Sequence, residues 1–454
     1  MKKKLFYIIS MMILAPTCVT QAQTDVDEPT VDNQITVTDS TGKKEVIDLP
    51  EGMTFELDSL LKEYNAKMYM TEDTNCNMRN MNPVYTKEVY IKRLSRIPSI
   101  IEMPFNNVVK MFIERYCGRL RNSVSYMLGA SNFYMPIFEE ALEMYNLPLE
   151  LKYLPVIESA LNPSAVSHVG ATGLWQFMIN TAKRYGLDVN TLVDERRDPI
   201  KASYAAAHYL SDLYKLFGDW NLVIASYNCG PNQINKAIHR AKGVKDYWKI
   251  YPYLPQETRG YVPAFIAANY IMTYYCEHNI CPMSTKLPAK SDTVMVNKNI
   301  HLEQIASVCN VPLDLVRALN PQYRNNIVPG ETKISAICLP ENAINKFLDL
   351  KDSVYNYKTD SLLTKRKEVD VEETHFDFEP KSYKSYKSSR SSKYTRRSKS
   401  HSSHHARKSK SVTVKDGDTL SEIAERHHTT VSKLKRLNGI NGSSIRAGKK
   451  IKVK

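Results

Sequence analysis

The chain of 454 residues lacks an apolar run long enough to cross a bilayer: the N-terminal one, Leu5 to Leu14, falls short of the ~20 residues required, and nothing later replaces it. A spanning helix is excluded as its organising element. Clusters of His and Cys at zinc spacing are missing too, and His404-His405 falls in a low-complexity tract, so neither a metal nor another cofactor is expected. Seven cysteines follow residue 22 (Cys76, Cys117, Cys229, Cys276, Cys281, Cys309 and Cys338), an odd and scattered set that is no disulfide framework. Most are read as small buried hydrophobes; Cys276 with Cys281, or Cys309 with Cys338, are pairs that could form. Strand signals are scarce, which points to a predominantly helical body.

Acid is absent from Lys381 to Lys410, a tract of Ser, Tyr, His and eleven Lys or Arg that carries most of the formal charge of +14. Such a segment cannot bury enough apolar surface to fold and is read as a linker. In a cytosolic protein it would suggest a nucleic-acid tail, but the N-terminus argues against that. Lys2-Lys3-Lys4, the apolar run and Thr20-Gln21-Ala22 have the form of an export signal cleaved after Ala22. Ala15-Pro16-Thr17 before Cys18 is a poor lipobox, and membrane attachment is expected only if Cys18 is lipidated. For an exported chain the basic tract suits anionic wall polymers or membrane surfaces, or serves as a solubilising spacer; no nucleic-acid partner is expected.

What is present divides the chain into several domains. Residues 1–22 are the signal, 23–87 a polar N-terminal tether, and 88–285 a helical domain with its core at 145–275. Residues 290–345 read as β-α-α-β, 346–410 as the low-complexity linker, and 411–454 as a second β-α-α-β module. In the helical domain Leu149, Leu151, Leu154, Ile157 and Leu161 recur at helical spacing between Pro148 and Asn162-Pro163. Glu158 therefore sits near a helix C-terminus, where the dipole and an apolar setting disfavour its charge and fit it to donate a proton. Further helices are expected from Thr181 to Gly186, from Asp198-Pro199 to Gly218, over 221–228, and from Pro263 to Tyr275.

The order Glu158-Ser159, Ser167, Gly170-Ala-Thr-Gly173-Leu174-Trp175-Gln176-Phe177-Met178, Tyr227-Asn228-Cys229-Gly230, then Glu257-Thr258 with Tyr261-Val262-Pro263 resembles the lytic transglycosylases, whose domain is similar to goose-type lysozyme. Cys229 departs from the family's usual small residue. Asp416-Gly417-Asp418-Thr419-Leu420, with Leu437-Asn438 and Ile445, resembles a complete LysM module, and 290–345 a degenerate one. The resemblance implies a mainly α lysozyme-like domain with small α+β LysM modules, as in family members that carry wall-binding modules.

It also implies a function. An exported enzyme of the periplasm, outer membrane or cell wall would cleave the β-1,4 bond between N-acetylmuramic acid and N-acetylglucosamine and leave 1,6-anhydro-muramic acid ends, for cell-wall remodelling. Glu158 would be acid and then base. Ser167 is the expected hydroxyl partner of Glu158; Gln176, Tyr227, Asn228 and Tyr261 are expected on the sugar. Gly417, Asp418, Thr419, Leu420 and Ile445 are expected to hold N-acetylglucosamine polymer. The competing readings are a lysozyme-like hydrolase, in which Glu257 would be a second carboxylate, and a non-catalytic wall-binding scaffold. Trp175 stands evenly between core and cleft, and a monomer is expected.

Overall fold

A computed structural model describes residues 33–38, 44–63, 70–78, 81–285, 287–288, 290–363, 411–414, 420–427, 429–438, 440 and 450–453. The export signal and Cys18 lie outside the described residues, as does the basic tract. The chain divides into two compact units, 1–376 and 377–454.

The first departure from expectation is the N-terminal segment, whose described residues are folded rather than a tether. Strands β1 (Gln34–Thr38) and β2 (Lys44–Asp48) pair antiparallel, with Ile35 opposite Ile47 and Val37 opposite Glu45. Val37, Ile47 and Leu49 are buried, and a 3-10 turn (Glu51–Met53) follows, then α1 (Leu57–Glu63) with Leu60 buried. Few of its residues are apolar, but they alternate with the two-residue period of a strand and cover an existing core. β3 (Met70–Thr71) pairs with β4 (Ser284–Thr285), and a Cys76–Cys281 disulfide spans the same join with Cα atoms 6.0 Å apart. Neither expected cysteine pair forms; Cys117 and Cys309 are buried thiols, Cys229 and Cys338 half-buried, and Cys276 exposed. The bonded cysteines stand 205 residues apart, so only the tertiary fold brings them within reach.

The central domain is built from helices α2 (Lys87–Leu94), α3 (Asn107–Cys117), α4 (Arg121–Met144), α5 (Leu154–Ser159), α6 (Ile179–Arg184), α7 (Pro199–Phe217), α8 (Trp220–Cys229), α9 (Pro231–Arg240), α10 (Tyr247–Ile250) and α11 (Gln256–Tyr274). α11 is almost wholly buried along its length, packing on α3, α8, α5 and β2, while α4 packs on α7. The Asp198 carboxylate accepts from the amides of Ile200 and Lys201, with Pro199 at the start of α7 and left-handed Gly218 at its end, as the sequence suggests. α11 is longer than expected because Pro263 lies inside it rather than at its start, and Pro136 likewise lies inside α4. Thr181 is interior to α6 and does not cap it; Met178 occupies that place.

Next comes a small α+β module: β5 (Ser291–Val296), β6 (Asn299–His301), α12 (Leu302–Cys309), α13 (Leu313–Leu319), β7 (Ile327–Pro329) and β8 (Ser335–Pro340). β5 pairs antiparallel with β8, and β6 with β7. It runs beyond 345. Helices α14 (Glu341–Asp349), α15 (Lys351–Asn356) and α16 (Thr359–Leu362) continue it, and Phe347 and Val354 complete its core. Buried Gln304 donates from Nε2 to the carbonyl of Tyr357 at 2.8 Å, clasping this extension.

In the second unit β9 (Ser411–Thr413) pairs with β10 (Lys450–Lys452), with α17 (Leu420–Arg426) and α18 (Val431–Asn438) between them in sequence. Val414, Leu420, Ile423, Leu434 and Ile451 form its core.

Candidate active site

The helix carrying Glu158 is shorter than its spacing suggests. Residues Leu149–Tyr153 form a 3-10 turn, and α5 proper starts beside Pro155. Its end is abrupt. Ala160 and Leu161 both take left-handed backbone, φ 49° and 60°, so Glu158 stands two residues before a strained turn. Such strain costs on the order of 1 kcal/mol or more per residue and persists only where surrounding packing enforces it. Here Ser159 supplies part of that enforcement, its buried Oγ lying 3.1 Å from the carbonyl of Pro155 and 3.0 Å from that of Leu174.

The loop after α5 forms one wall of the site. Thr172 pairs with Phe177 in a tight backbone hairpin, and Ser167 Oγ accepts from the amide of Ala171 at 3.0 Å. Gly173 has φ 87°, and a Cβ there would meet the carbonyl oxygen of Arg196 at 1.9 Å, so no larger residue fits. Trp175 is fully buried, donates from Nε1 to Ser203 Oγ at 2.9 Å and lies edge-to-face on Phe138; it is core. Gln176, with φ 47°, spends its Nε2 on the carbonyls of Gly173 (2.8 Å) and Ala165 (3.3 Å), so its amide nitrogen braces the loop.

Helices α8 and α11 form the opposite side. Tyr227 Oη donates to the carbonyl of Trp175 at 2.8 Å, and Asn228 Oδ1 accepts from Thr258 Oγ1 at 2.8 Å. Tyr261 is buried and donates from Oη to Glu158 Oε1. The hydroxyl on the carboxyl is thus Tyr261, whereas Ser167 is engaged with its own loop. Glu158, Ser167, Gln176, Tyr227, Asn228 and Tyr261 all line one cleft of about 820 Å³.

Burial pushes the Glu158 carboxyl up to about 8; the Tyr261 hydrogen bond opposes this and the Glu51 charge adds to it. One face of the side chain still opens onto the cleft, so a protonated carboxylic acid is presented to whatever occupies it. Tyr227 and Tyr261 are held well above ordinary phenols, mainly by burial, and stay neutral donors.

Sequence reasoning missed the third wall. Asp48, Leu49, Glu51 and Thr54 of the N-terminal segment line the same cleft, and Glu51 faces His168 of the loop, with Oε2 3.7 Å from Nδ1. Burial raises the Glu51 carboxyl, His168 lowers it, and Glu257, exposed on the cleft, raises it. The segment lies flat on α5 because Gly52 has no side chain: a Cβ would meet the carbonyl oxygen of Val156 at 2.6 Å and the nitrogen of Ala160 at 2.8 Å. No local motif marks Glu51; its signal was the burial pattern of the hairpin before it.

In the second unit Leu420 is a core side chain, 3% exposed, and is not positioned to contact sugar. Gly417, Asp418, Thr419 and Ile445 lie outside the described residues.

Comparison with known proteins bears on these parts. A family model described as a transglycosylase SLT domain matches residues 135–250, one described as the LysM-like domain of lytic transglycosylase MltD matches 290–356, and a LysM domain matches 412–454. The second match passes residue 345, as the fold does. Membrane-bound lytic murein transglycosylase D of Escherichia coli (strain K12) is 27% identical over 312 residues, covering 68% of this chain and 60% of that protein. The chain thus spans about three-fifths of that relative's length. Soluble lytic murein transglycosylase of the same organism is 32% identical over 124 residues, 26% of this chain and 19% of that one. The solved 70 kDa soluble lytic transglycosylase of Escherichia coli matches with a TM-score of 0.28 and 26% identity, over 33% of this chain and 25% of that one. The chain carries a transglycosylase SLT domain, with Glu158 on its central cleft, followed by a LysM-like domain of the MltD type and a LysM domain.

Proposed function

We propose that this protein is an exported peptidoglycan lytic transglycosylase of the cell envelope. The observation that carries the reading is Glu158: a neutral carboxyl at the cleft surface, hydrogen-bonded to Tyr261 at the end of a helix in an SLT domain. A protonated Glu158 gives its proton to the oxygen of the β-1,4 bond between N-acetylmuramic acid and N-acetylglucosamine as that bond breaks. The substrate's 2-acetamido group stabilises the sugar carbon. The resulting Glu158 carboxylate, steadied by the Tyr261 hydroxyl, then takes the proton of the muramoyl 6-hydroxyl as that oxygen closes on C1. The product is a 1,6-anhydro end, and Glu158 returns to its starting form. Both steps need a carboxyl that titrates near working pH, which its burial supplies.

In this reading Tyr227 and Asn228 on α8 and the Gln176 loop, which line the cleft, would orient the acetamido group. The LysM module would hold N-acetylglucosamine-containing strands weakly and raise their local concentration at the cleft through avidity.

One observation favours a second reading. Glu51 and Glu257 also line the cleft, and a hydrolase needs such a second carboxylate. Mass spectrometry of purified peptidoglycan digested by the protein separates the two. Anhydro ends are expected, while reducing ends would replace the transglycosylase by a hydrolase. Wall binding with no new ends from a folded protein would leave a scaffold.

A further inference from the structure

The LysM-like module reaches the active-site loop through a chain of charges centred on buried Asp194, with Arg324 half-buried at its outer end. Arg324, between α13 and β7, donates from Nη2 to Asp194 Oδ2 at 2.6 Å. Backbone contacts seat it: the Arg324 amide donates to the carbonyl of Leu192 at 2.8 Å and the Asp194 amide to that of Gln322 at 2.9 Å. Asp194 is completely buried. On its other side Arg196 grips both carboxylate oxygens, Nε to Oδ1 and Nη2 to Oδ2, each at 2.9 Å. The remaining nitrogen of that guanidinium, Nη1, donates to the carbonyls of Gly170 at 2.9 Å and Phe177 at 3.0 Å. Those two carbonyls bracket the loop that holds Gln176 against the cleft.

Each link is specific. Burial alone would raise the Asp194 carboxyl, but its two guanidinium partners outweigh burial and hold it below its ordinary value, as a carboxylate. Taking Arg324 away removes one of the two guanidiniums that hold the buried Asp194 carboxylate and leaves it to Arg196 alone, so the Asp194–Arg196 pair is free to shift. The loop has little room to absorb that movement, because Gly173 rests on the backbone of Arg196.

We propose that the LysM-like module is a positioning element of the active site, with Arg324 acting through Asp194 and Arg196 on residues 170–177. The module is in this view part of the enzyme's working body. The kinetic consequence rests on the transglycosylase reading; the mechanical one does not.

The test compares the full chain with Arg324→Ala, Arg324→Lys and Lys333→Ala, the last removing an exposed docking pair with Asp188 made by the same module. Hydrogen exchange of peptides covering 163–178 reads the coupling without any turnover. Exchange there is expected to speed up in Arg324→Ala, to recover in part in Arg324→Lys and to match wild type in Lys333→Ala. On peptidoglycan, kcat should fall about 10-fold or more in Arg324→Ala with KM little changed, as misplacement of catalytic groups does. Unchanged loop exchange in Arg324→Ala, or an equal change in Lys333→Ala, overturns the route through Asp194. If wild type proves inactive on peptidoglycan, the exchange comparison still decides the coupling.

Discussion

Tyr261 on α11 donates its hydroxyl to the carboxyl of Glu158 on α5, joining residues 103 apart in sequence across the floor of the cleft. This bond stabilises the ionised form of Glu158 and so opposes the rise that burial produces. Tyr261→Phe should raise the Glu158 pKa further. The alkaline limb of kcat/KM against pH, where a deprotonated Glu158 can no longer donate, should move to higher pH. The carboxylate formed after bond cleavage loses its hydrogen bond, so kcat should fall by about 10-fold or more. A pH-rate profile checks both.

Glu158 also makes stability depend on pH. Its folded carboxyl titrates at about 8 against 4.5 for the free group, so between those values the folded state keeps a proton that the unfolded state has released. Stability from this group is complete below the lower value and declines as pH rises through the upper one. Glu158→Gln cannot ionise. Its Tm should match wild type near pH 4 and exceed it increasingly up to about pH 9, with solvent in the cleft moderating the gap; thermal melts across that range measure it.

Glu51 offers a separate test of the cleft's electrostatics. Its negative charge disfavours ionisation of Glu158, so Glu51→Gln should shift the alkaline limb to lower pH while product ends stay anhydro. Groups on the surrounding elements are His168 on the loop, Glu257 and Tyr261 on α11, Tyr227 on α8, Tyr209 on α7 and Asp48 at the end of β2. If Glu51 were a hydrolytic nucleophile, the variant would lose turnover altogether.

Gly52→Ala probes the docking of the N-terminal segment. The added Cβ meets only backbone, which cannot swing aside, and overpacking of this kind costs about 1–3 kcal/mol. The melting temperature should drop, and kcat/KM with it, because α5 is the surface displaced. Denaturation together with kinetics would show whether the two effects travel together.

Legibility differed sharply between parts of the molecule. The helices carrying Glu158 and Tyr227 were visible in periodicity, Pro and Gly positions, and motif order, whereas Tyr261 was marked by motif order alone because its helix was expected to start at Pro263; all three fall on one cleft. Ser167 and Gln176 were found as cleft residues, but the hydroxyl on Glu158 is Tyr261 and not Ser167, and the bracing bonds of Gln176 Nε2 were not foreseen, since side-chain hydrogen bonds depend on rotamers that spacing does not encode. Glu51 escaped because a short polar hairpin with alternating Ile35, Val37 and Ile47 resembles a tether until a core is present to bury it. The Cys76–Cys281 bond was hidden by separation along the chain. The module's true end near Leu362 was hidden by the reading of 346–410 as one low-complexity linker, although Phe347 and Val354 are core residues.

The central claim is that Glu158 is a neutral carboxylic acid at neutral pH and the group that both gives and takes the proton. The most direct measurement is its titration by carbon-13 NMR of protein labelled at the glutamate side-chain carboxyls, with Glu158→Gln identifying the signal. A midpoint near 8 that moves upward in Tyr261→Phe is the expected result. A midpoint near 4.5 would mean that Glu158 is ionised at neutral pH and is not the proton donor.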